Sequence, residues 1–362
     1  MAGGGSEEGD PGEPRPPTIY DVAKAAGVAP STVSRAFSRP GRVNAETAER
    51  IRHIAHELGY RVNPLAKAVP VGRTSMLALV VADATNPFHF DIIRGAQDAA
   101  AKAGYTVLLT DTRESDLLER QALERTLPVV EGMVLASSRM SDSTIRVTAK
   151  QRPRVVLNRV VTGVPSVVTD ISRGARRAID HLRELGHERF TYVAGPEASW
   201  TDGMRWRELR EATRGQGPRI RRIGPFPPTL EGGAEAGQTL LTEPAGAVVA
   251  YNDLIAIGLM GELVKHGQRV PDDLSVIGFD DIFGAQLVTP GLTTVAAPLY
   301  QVGSTAVGHL LAVLNGARPQ TEAPLVVPTS LVRRRSTGRP HRPDHAERRR
   351  PEHAEAHRPP GP

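Results

Sequence analysis

With 362 residues and 38.9 kDa, the chain exceeds what one hydrophobic core organises, so two or three domains are expected. Hydrophobic residues make up 40%, enough for real cores, and the absence of cysteine excludes a disulfide framework, Cys-zinc sites and thiol catalysis. The net charge is +5, and nine Lys and Arg against four Asp and Glu between Thr18 and Arg73 concentrate an equal excess in one short segment, as phosphate binding requires.

Residues 1–17 are rich in Gly, Pro and acids without periodicity, and are expected to be disordered. They have neither a basic start nor an apolar core, so no secretory signal is expected and the chain is placed in the cytoplasm. The longest apolar runs, such as 76–82, have strand length, and no membrane segment is expected. From Thr18 the pattern becomes helical. Ile19, Val22, Ala23 and Ala26 share one face, Thr18 and Asp21 form a capping-box pair, and Gly27 supplies a left-handed stop. Pro30 opens a second helix whose inner stripe is Val33, Ala36 and Phe37, leaving Ser31, Thr32, Ser34 and Arg35 outside. Two short helices joined at a glycine, the second carrying hydroxyls and an arginine, form a helix-turn-helix, and its partner is double-stranded DNA.

Asn44 can cap a third helix with the stripe Ile51, Ile54, Ala55 and Leu58, ending at Gly59. Val22, Val33, Phe37, Ile51 and Leu58 are the expected core of a headpiece spanning 18–62. A short helix with Asn63 as cap and Pro64 at its first position lies within a linker over 63–75. Strands over 77–82, 106–110, 132–136, 154–158, 189–194, 247–250 and 274–279 then alternate with helices over 88–103, 117–127, 172–185 and 254–266. Apolar strands alternating with helices argue for parallel sheets covered on both faces, in a domain over 76–335. Residues 336–362, rich in Arg, Pro and His, contain no leucine heptad. The irregular spacing of His341, His345, His353 and His357 argues against a metal site, and this tail is expected to be disordered.

The pattern from Thr18 through Asp21-Val22-Ala23, Ala26-Gly27-Val28 and Thr32-Val33-Ser34-Arg35 resembles the headpiece of the lactose-repressor (LacI/GalR) family of bacterial transcriptional regulators. Asn86-Pro87-Phe88, Gly186-His187, Asn252-Asp253 and the run from Val270 to Asp281 are similar to the family's effector domain. The resemblance implies a multidomain chain: a small all-α headpiece plus a two-lobed α/β domain, like periplasmic sugar-binding proteins, with parallel sheets. It places Pro30, Ser31 and Arg35 at base edges and Tyr20, Thr32, Ser34 and Asn44 on phosphates; Arg42, in the turn before the third helix, is a further candidate for a base or phosphate contact. Arginine matches guanine O6 and N7 together, whereas Pro30 and Ser31 offer weaker reading. A hinge helix carrying Leu65, Ala66 and Lys67, with Val69 as its apolar wedge, would enter the minor groove, and Pro70 would end it early. Without the tetramer-forming heptad the expected unit is a homodimer on a pseudo-palindromic operator.

The same resemblance assigns the effector cleft to Phe88, His89, Ser199, Thr201, Arg205, Phe226, Asn252 and Asp280. Guanidinium, amide and carboxylate around aromatic faces suit a polyhydroxylated ring, so a sugar or sugar derivative is the expected effector. Phe88 and Phe226 equally suit a core, and Asp280 interlobe packing; whether Asp111, Arg159 and Asp170 line the cleft is open. A non-sugar effector such as a nucleoside, and an activator rather than a repressor, are the alternatives. Purine-binding relatives carry arginine where Ser199 stands, which argues against a purine. No phosphate-binding loop, zinc-protease pair or nucleophile elbow occurs, so no enzyme, cofactor or metal is expected.

Overall fold

The computed structural model describes residues 15–38, 41–60, 74–215, 220–243, 245–319 and 321–340. The chain divides into two compact units between Ser75 and Met76. The sequence-expected hinge contacts Leu65, Ala66, Lys67 and Val69 lie outside the described residues.

The first unit comprises α1 (Ile19–Ala26), α2 (Pro30–Ser38) and α3 (Ala45–Glu57). The Asp21 carboxylate accepts the Thr18 amide at 2.7 Å and the Thr18 hydroxyl at 2.6 Å, bonds that hold its pKa below the usual value. Gly27 closes α1 at φ +64°, and Asn44 caps α3 by accepting the Glu46 amide at 3.0 Å. Val22, Val33 and Ile51 are fully buried at the centre. Leu58 is not part of this core: it is 41% exposed. The helix ends at Glu57, and Gly59, at φ +69°, turns the chain so that Tyr60 packs there instead, its ring 6.1 Å from that of Phe37.

The second unit holds two six-stranded sheets. Lobe 1 contains β1 (Met76–Val81), α4 (Phe88–Lys102), β2 (Thr106–Asp111), α5 (Asp116–Thr126), β3 (Gly132–Ala136), α6 (Asp142–Ala149), β4 (Arg154–Leu157) and β5 (Ser166–Thr169). The chain then crosses to lobe 2 with α7 (Ile171–Glu184), β6 (Phe190–Val193), α8 (Trp200–Ala212), β7 (Ile220–Ile223), α9 (Leu230–Thr242), β8 (Ala247–Ala250), α10 (Asp253–Lys265), β9 (Ser275–Asp280) and β10 (Thr293–Ala296). It returns for α11 (Leu299–Leu314) and β11 (Leu325–Val327), and crosses once more for β12 (Ser330–Val332).

Strand order is β11-β5-β4-β3-β1-β2 in one lobe and β12-β10-β9-β8-β6-β7 in the other. All named pairings are parallel except β10 with β12, so the second sheet is mixed rather than wholly parallel. In each lobe the order reverses at its first strand, β1 or β6, and the crevice outside the carboxyl ends at such a reversal is where open α/β sheets bind ligands. The apolar run of β1 follows from burial on both faces. Leu77, Leu79 and Val81 meet Ile92, Ala96, Val302 and Leu310, while Ala78 and Val80 meet Leu123 and Ile145.

The expected tail boundary at 336 is displaced. Ser336 is fully buried, donating to the Val276 carbonyl at 2.6 Å and accepting the Thr293 amide at 2.8 Å. His187 bonds the Gly338 carbonyl and His181 the Thr337 hydroxyl, both at 2.9 Å, so lobe 2 extends through this segment. Unpaired polar groups of β9 and β10 require that strap.

Each lobe also uses a reciprocal glycine crossing. A Cβ on Gly95 of α4 would lie 2.0 Å from the Tyr300 carbonyl oxygen of α11, and one on Gly303 would lie 2.1 Å from that of Ile92. Gly233 and Gly258 play the same part between α9 and α10. Because the obstructing atoms are backbone, the helices must separate to accept a methyl group. Gly95→Ala is expected to lower core-domain stability by about 2–3 kcal/mol, read as a lower urea midpoint, whereas Gly261→Ala, which meets nothing within 4 Å, should leave it unchanged or slightly raised.

Candidate functional site

The two switch points face one cavity of about 40 Å³. Lobe 1 contributes Asn86, Phe88 and His89 after β1, Glu114 after β2, Ser137 and Arg139 after β3, and Asn158 after β4. Lobe 2 contributes Thr201 and Arg205 from α8, Tyr251 and Asn252 after β8, and Phe279 with Asp280 at the end of β9. Of the eight cleft positions taken from sequence, six line this cavity: Phe88, His89, Thr201, Arg205, Asn252 and Asp280.

Ser199 and Phe226 do not. Ser199 is the N-cap of α8, accepting the Asp202 amide at 3.2 Å, and shares a 3.0 Å hydrogen bond with the Tyr251 hydroxyl. It therefore fixes Tyr251, which does line the cavity. Phe226 is half-buried against the lobe 2 core, beside Gly224. Arg159 points to Asp142 and to the Ser138 and Met140 carbonyls, Asp111 accepts the Ala84 and Arg113 amides, and Asp170 caps α7. All three have structural partners outside the cavity lining.

Arg205 is buried on the floor. One Nη donates to Asp280 Oδ1 at 2.8 Å, the other to the Tyr251 carbonyl, and the guanidinium lies 4.3 Å from the Phe279 ring centroid and 5.0 Å from that of Tyr251. Burial pushes Asp280 up to about 6 against the opposing pull of Arg205. His89 is likewise buried, and desolvation holds its imidazole down at about 4, so it is neutral near pH 7. Arg205 Nε and His89 Nδ1 find no hydrogen-bond partner among the described residues.

On the opposite wall Arg139 pairs with Glu114. Its loop is gripped from both sides: buried Glu119 accepts the Arg139 amide at 2.9 Å, while Arg159 donates to the carbonyls of Ser138 at 3.2 Å and Met140 at 2.6 Å. Thr201 Oγ1 bridges the lobes by donating to the Asn158 carbonyl at 3.0 Å. Asn252 lines the cavity, but its side chain already caps α10 and donates to the Pro228 carbonyl. Glu114, Arg139 and Tyr251 were missed from sequence, although each follows an apolar strand run at the carboxyl end where this sheet order places ligand contacts.

In the first unit Tyr20, Ser31, Ser34, Arg35, Arg42 and Asn44 are exposed, whereas Pro30 and Thr32 are half-buried. The second helix contains no acid. An acid-free reading helix in a helix-turn-helix, joined in one chain to a two-lobed binding-protein fold, defines a ligand-responsive DNA-binding regulator.

Residues 18–63 match the bacterial regulatory proteins of the lacI family, and residues 179–337 match the periplasmic binding protein-like domain. The HTH-type transcriptional repressor CytR of Escherichia coli K12 is 34% identical over 309 residues, covering 83% of this chain and 90% of that protein. The lac repressor dimer bound to operator and the anti-inducer ONPF superposes with a TM-score of 0.78 at 28% identity, over 90% of this chain and all of that one. A LacI family regulator from Enterococcus faecium with bound ribose gives 0.65 at 30% identity, over 73% and 99%. The chain belongs to the LacI family of transcriptional regulators, proteins that bind operator DNA under the control of a small-molecule effector and are not enzymes.

His89 and Asp280 give opposed pH dependences. The raised Asp280 pKa contributes stability that is fully present below about 4 and is lost as pH rises through about 6. The lowered His89 pKa contributes stability present above 6.5 and lost as pH falls through about 4. Between pH 4 and 6 the two offset each other. Urea midpoints of His89→Gln should therefore fall as pH rises across that window, and those of Asp280→Asn should rise.

Proposed function

We propose that this regulator is a cytoplasmic homodimeric repressor whose effector is a neutral carbohydrate bound between the lobes. One observation carries the ligand class: both guanidinium groups lining the cavity are already paired with carboxylates, Arg139 with Glu114 and Arg205 with Asp280. A phosphate ester or other strong anion would have to displace a carboxylate from a buried ion pair, whereas hydroxyls can share the donors of both. Phe88 supplies a flat apolar face. The ribose bound to the Enterococcus faecium relative is of this class. A pentose or hexose ring does not fit about 40 Å³, so binding includes separation of the lobes and loss of the Thr201–Asn158 contact. Phe88, His89, Thr201, Arg205, Asn252 and Asp280 are the proposed contacts, with Glu114, Arg139 and Tyr251 added. Calorimetric titration with neutral sugars, sugar phosphates and nucleosides tests this. A neutral sugar is expected to bind, with Asp280→Asn weakening it about tenfold or more. Tighter binding of a phosphate ester, or binding only by a nucleobase-bearing compound, would overturn it.

The dimer is supported by the lac repressor likeness and by apolar side chains standing in solvent: Phe90 at 45%, Phe283 at 58% and Leu287 at 70% exposure, the first two stacked with ring centroids 6.4 Å apart. Two headpieces then read a pseudo-palindrome whose half-sites lie about one helical turn apart. Arg35 is the proposed base reader, with Pro30 and Ser31 beside it, Tyr20, Thr32, Ser34 and Asn44 hold the backbone, and Arg42 contacts a base or a phosphate; Leu65, Ala66, Lys67 and Val69 are the proposed minor-groove contacts of the hinge. Gel-shift titrations on operator and scrambled duplex should show Arg35→Ala losing preference as well as affinity. Asn44→Ala should weaken both duplexes alike and, because Asn44 caps α3, cost about 1 kcal/mol of headpiece stability. Equal losses on both duplexes for Arg35→Ala would defeat the assignment.

A further inference from the structure

Arg35 does not stand free on α2. Its Nε donates to the Ser31 carbonyl at 3.1 Å and its Nη2 to the Ser31 hydroxyl at 3.2 Å, one helical turn earlier. A guanidinium offers five N–H groups along two usable edges, the side edge of Nε with Nη2 and the end edge of Nη1 with Nη2. Ser31 takes the side edge and leaves the end edge, whose two parallel donors match guanine O6 and N7. We propose that Ser31 is a positioning residue for Arg35: its hydroxyl fixes the orientation of the guanidinium fork and does not itself read a base.

This rests on Arg35 being the base reader and adds the reason its long side chain can be selective. An exposed arginine samples many rotamers, and each orientation that presents the wrong edge weakens discrimination without weakening attraction to phosphate. The Ser31 clamp uses one backbone and one side-chain oxygen, so only half of it is under the control of residue 31. No acid on α2 competes for the guanidinium. A serine hydroxyl suits this task because it is short and stands one helical turn from the guanidinium it holds.

The test is a double-mutant cycle on the full-length protein, with Ser31→Ala, Arg35→Ala and the double variant titrated against an operator found by selection and against variants of each base pair. Circular dichroism melts verify that each headpiece is folded. Ser31→Ala is expected to weaken operator binding by about threefold to tenfold, with the loss confined to duplexes carrying the base pair that Arg35 discriminates. In the Arg35→Ala background the same change should have no effect, and Ser31→Thr, which keeps the hydroxyl, should retain most of the affinity. Independent, multiplying losses would overturn the proposal by showing a direct contact from Ser31, as would a silent Ser31→Ala. If Arg35→Ala leaves base preference intact, the base-reading role of Arg35 fails first and the positioning role falls with it.

Discussion

A guanidinium buried at the floor of a cleft must have its donors met, because unpaired burial of a charge costs several kcal/mol. Arg205 meets this requirement at both Nη groups, with Nε left unpartnered among the described residues, and uses three parts of lobe 2: it comes from α8, takes its carboxylate from the end of β9 and its carbonyl from the residue after β8. The ends of those elements are thereby fixed to one another. Asp253 supports the same corner from beneath. Its buried carboxylate accepts the Thr294 hydroxyl at 2.6 Å and the Ile282 amide at 2.9 Å, and it fits only because Gly278 has no Cβ, which would fall 2.1 Å from Oδ1. The charge state of the cleft follows from this packing, and with it the class of ligand the cleft favours.

The cost appears in the backbone. Among the described residues seven non-glycines have positive φ, and four of them, Glu114, Ser137, Asn158 and Asp280, line the cavity. Glycine would relieve the strain but would remove the side chain that each strand end presents, and such strain is of order 1–3 kcal/mol per residue. Asp280, at φ +111°, is the extreme case. The carboxylates of Asp280 and Asp281 diverge, one to Arg205 and the other to Arg334 at 2.7 Å. Positions where local preference is violated and the surroundings hold the violation in place are what a binding site is expected to contain.

How much of this was legible depends on whether the signal was local. Strands buried on both faces stand out as apolar runs, and capped helices announce their ends, so β3 and β8 were placed to the residue and most other predicted elements to within one or two. The edge strand β7, Ile-Arg-Arg-Ile, is four residues long with two adjacent arginines in place of an apolar alternation, and it was invisible. Gly232, Gly233 and Gly237 weaken the helix propensity of α9, yet each serves a close approach, Gly232 to the Pro227 carbonyl and Gly233 and Gly237 to α10. The cleft was legible in part through family resemblance, but Ser199 illustrates its limit. Sequence matching places the residue near the ligand, and only the geometry shows its hydroxyl committed to the α8 cap and to Tyr251. Likewise Leu58 has the right spacing for the headpiece core, and the left-handed turn at Gly59 gives the place to Tyr60.

The connection between ligand and headpiece is constrained by topology. Residue 75 leads directly into β1, an interior strand flanked by β3 and β2, and β1 leads at its other end to Asn86, Phe88 and His89 in the cleft wall. One rigid strand of six residues thus joins the point where the chain enters lobe 1 to the first ligand-facing loop. The chain reaches lobe 2 only after β5. Lobe 2 is joined to lobe 1 through three crossings, two of which are tied together where Asp170 donates its amide to the Val327 carbonyl and accepts the Thr329 hydroxyl, both at 2.8 Å. With two crossings pinned side by side, the lobes can rotate about that tie more readily than they can slide. Within lobe 1 a single sheet carries both the cavity wall and the point where the linker attaches, so in the proposed dimer a change in this rotation would move the two together.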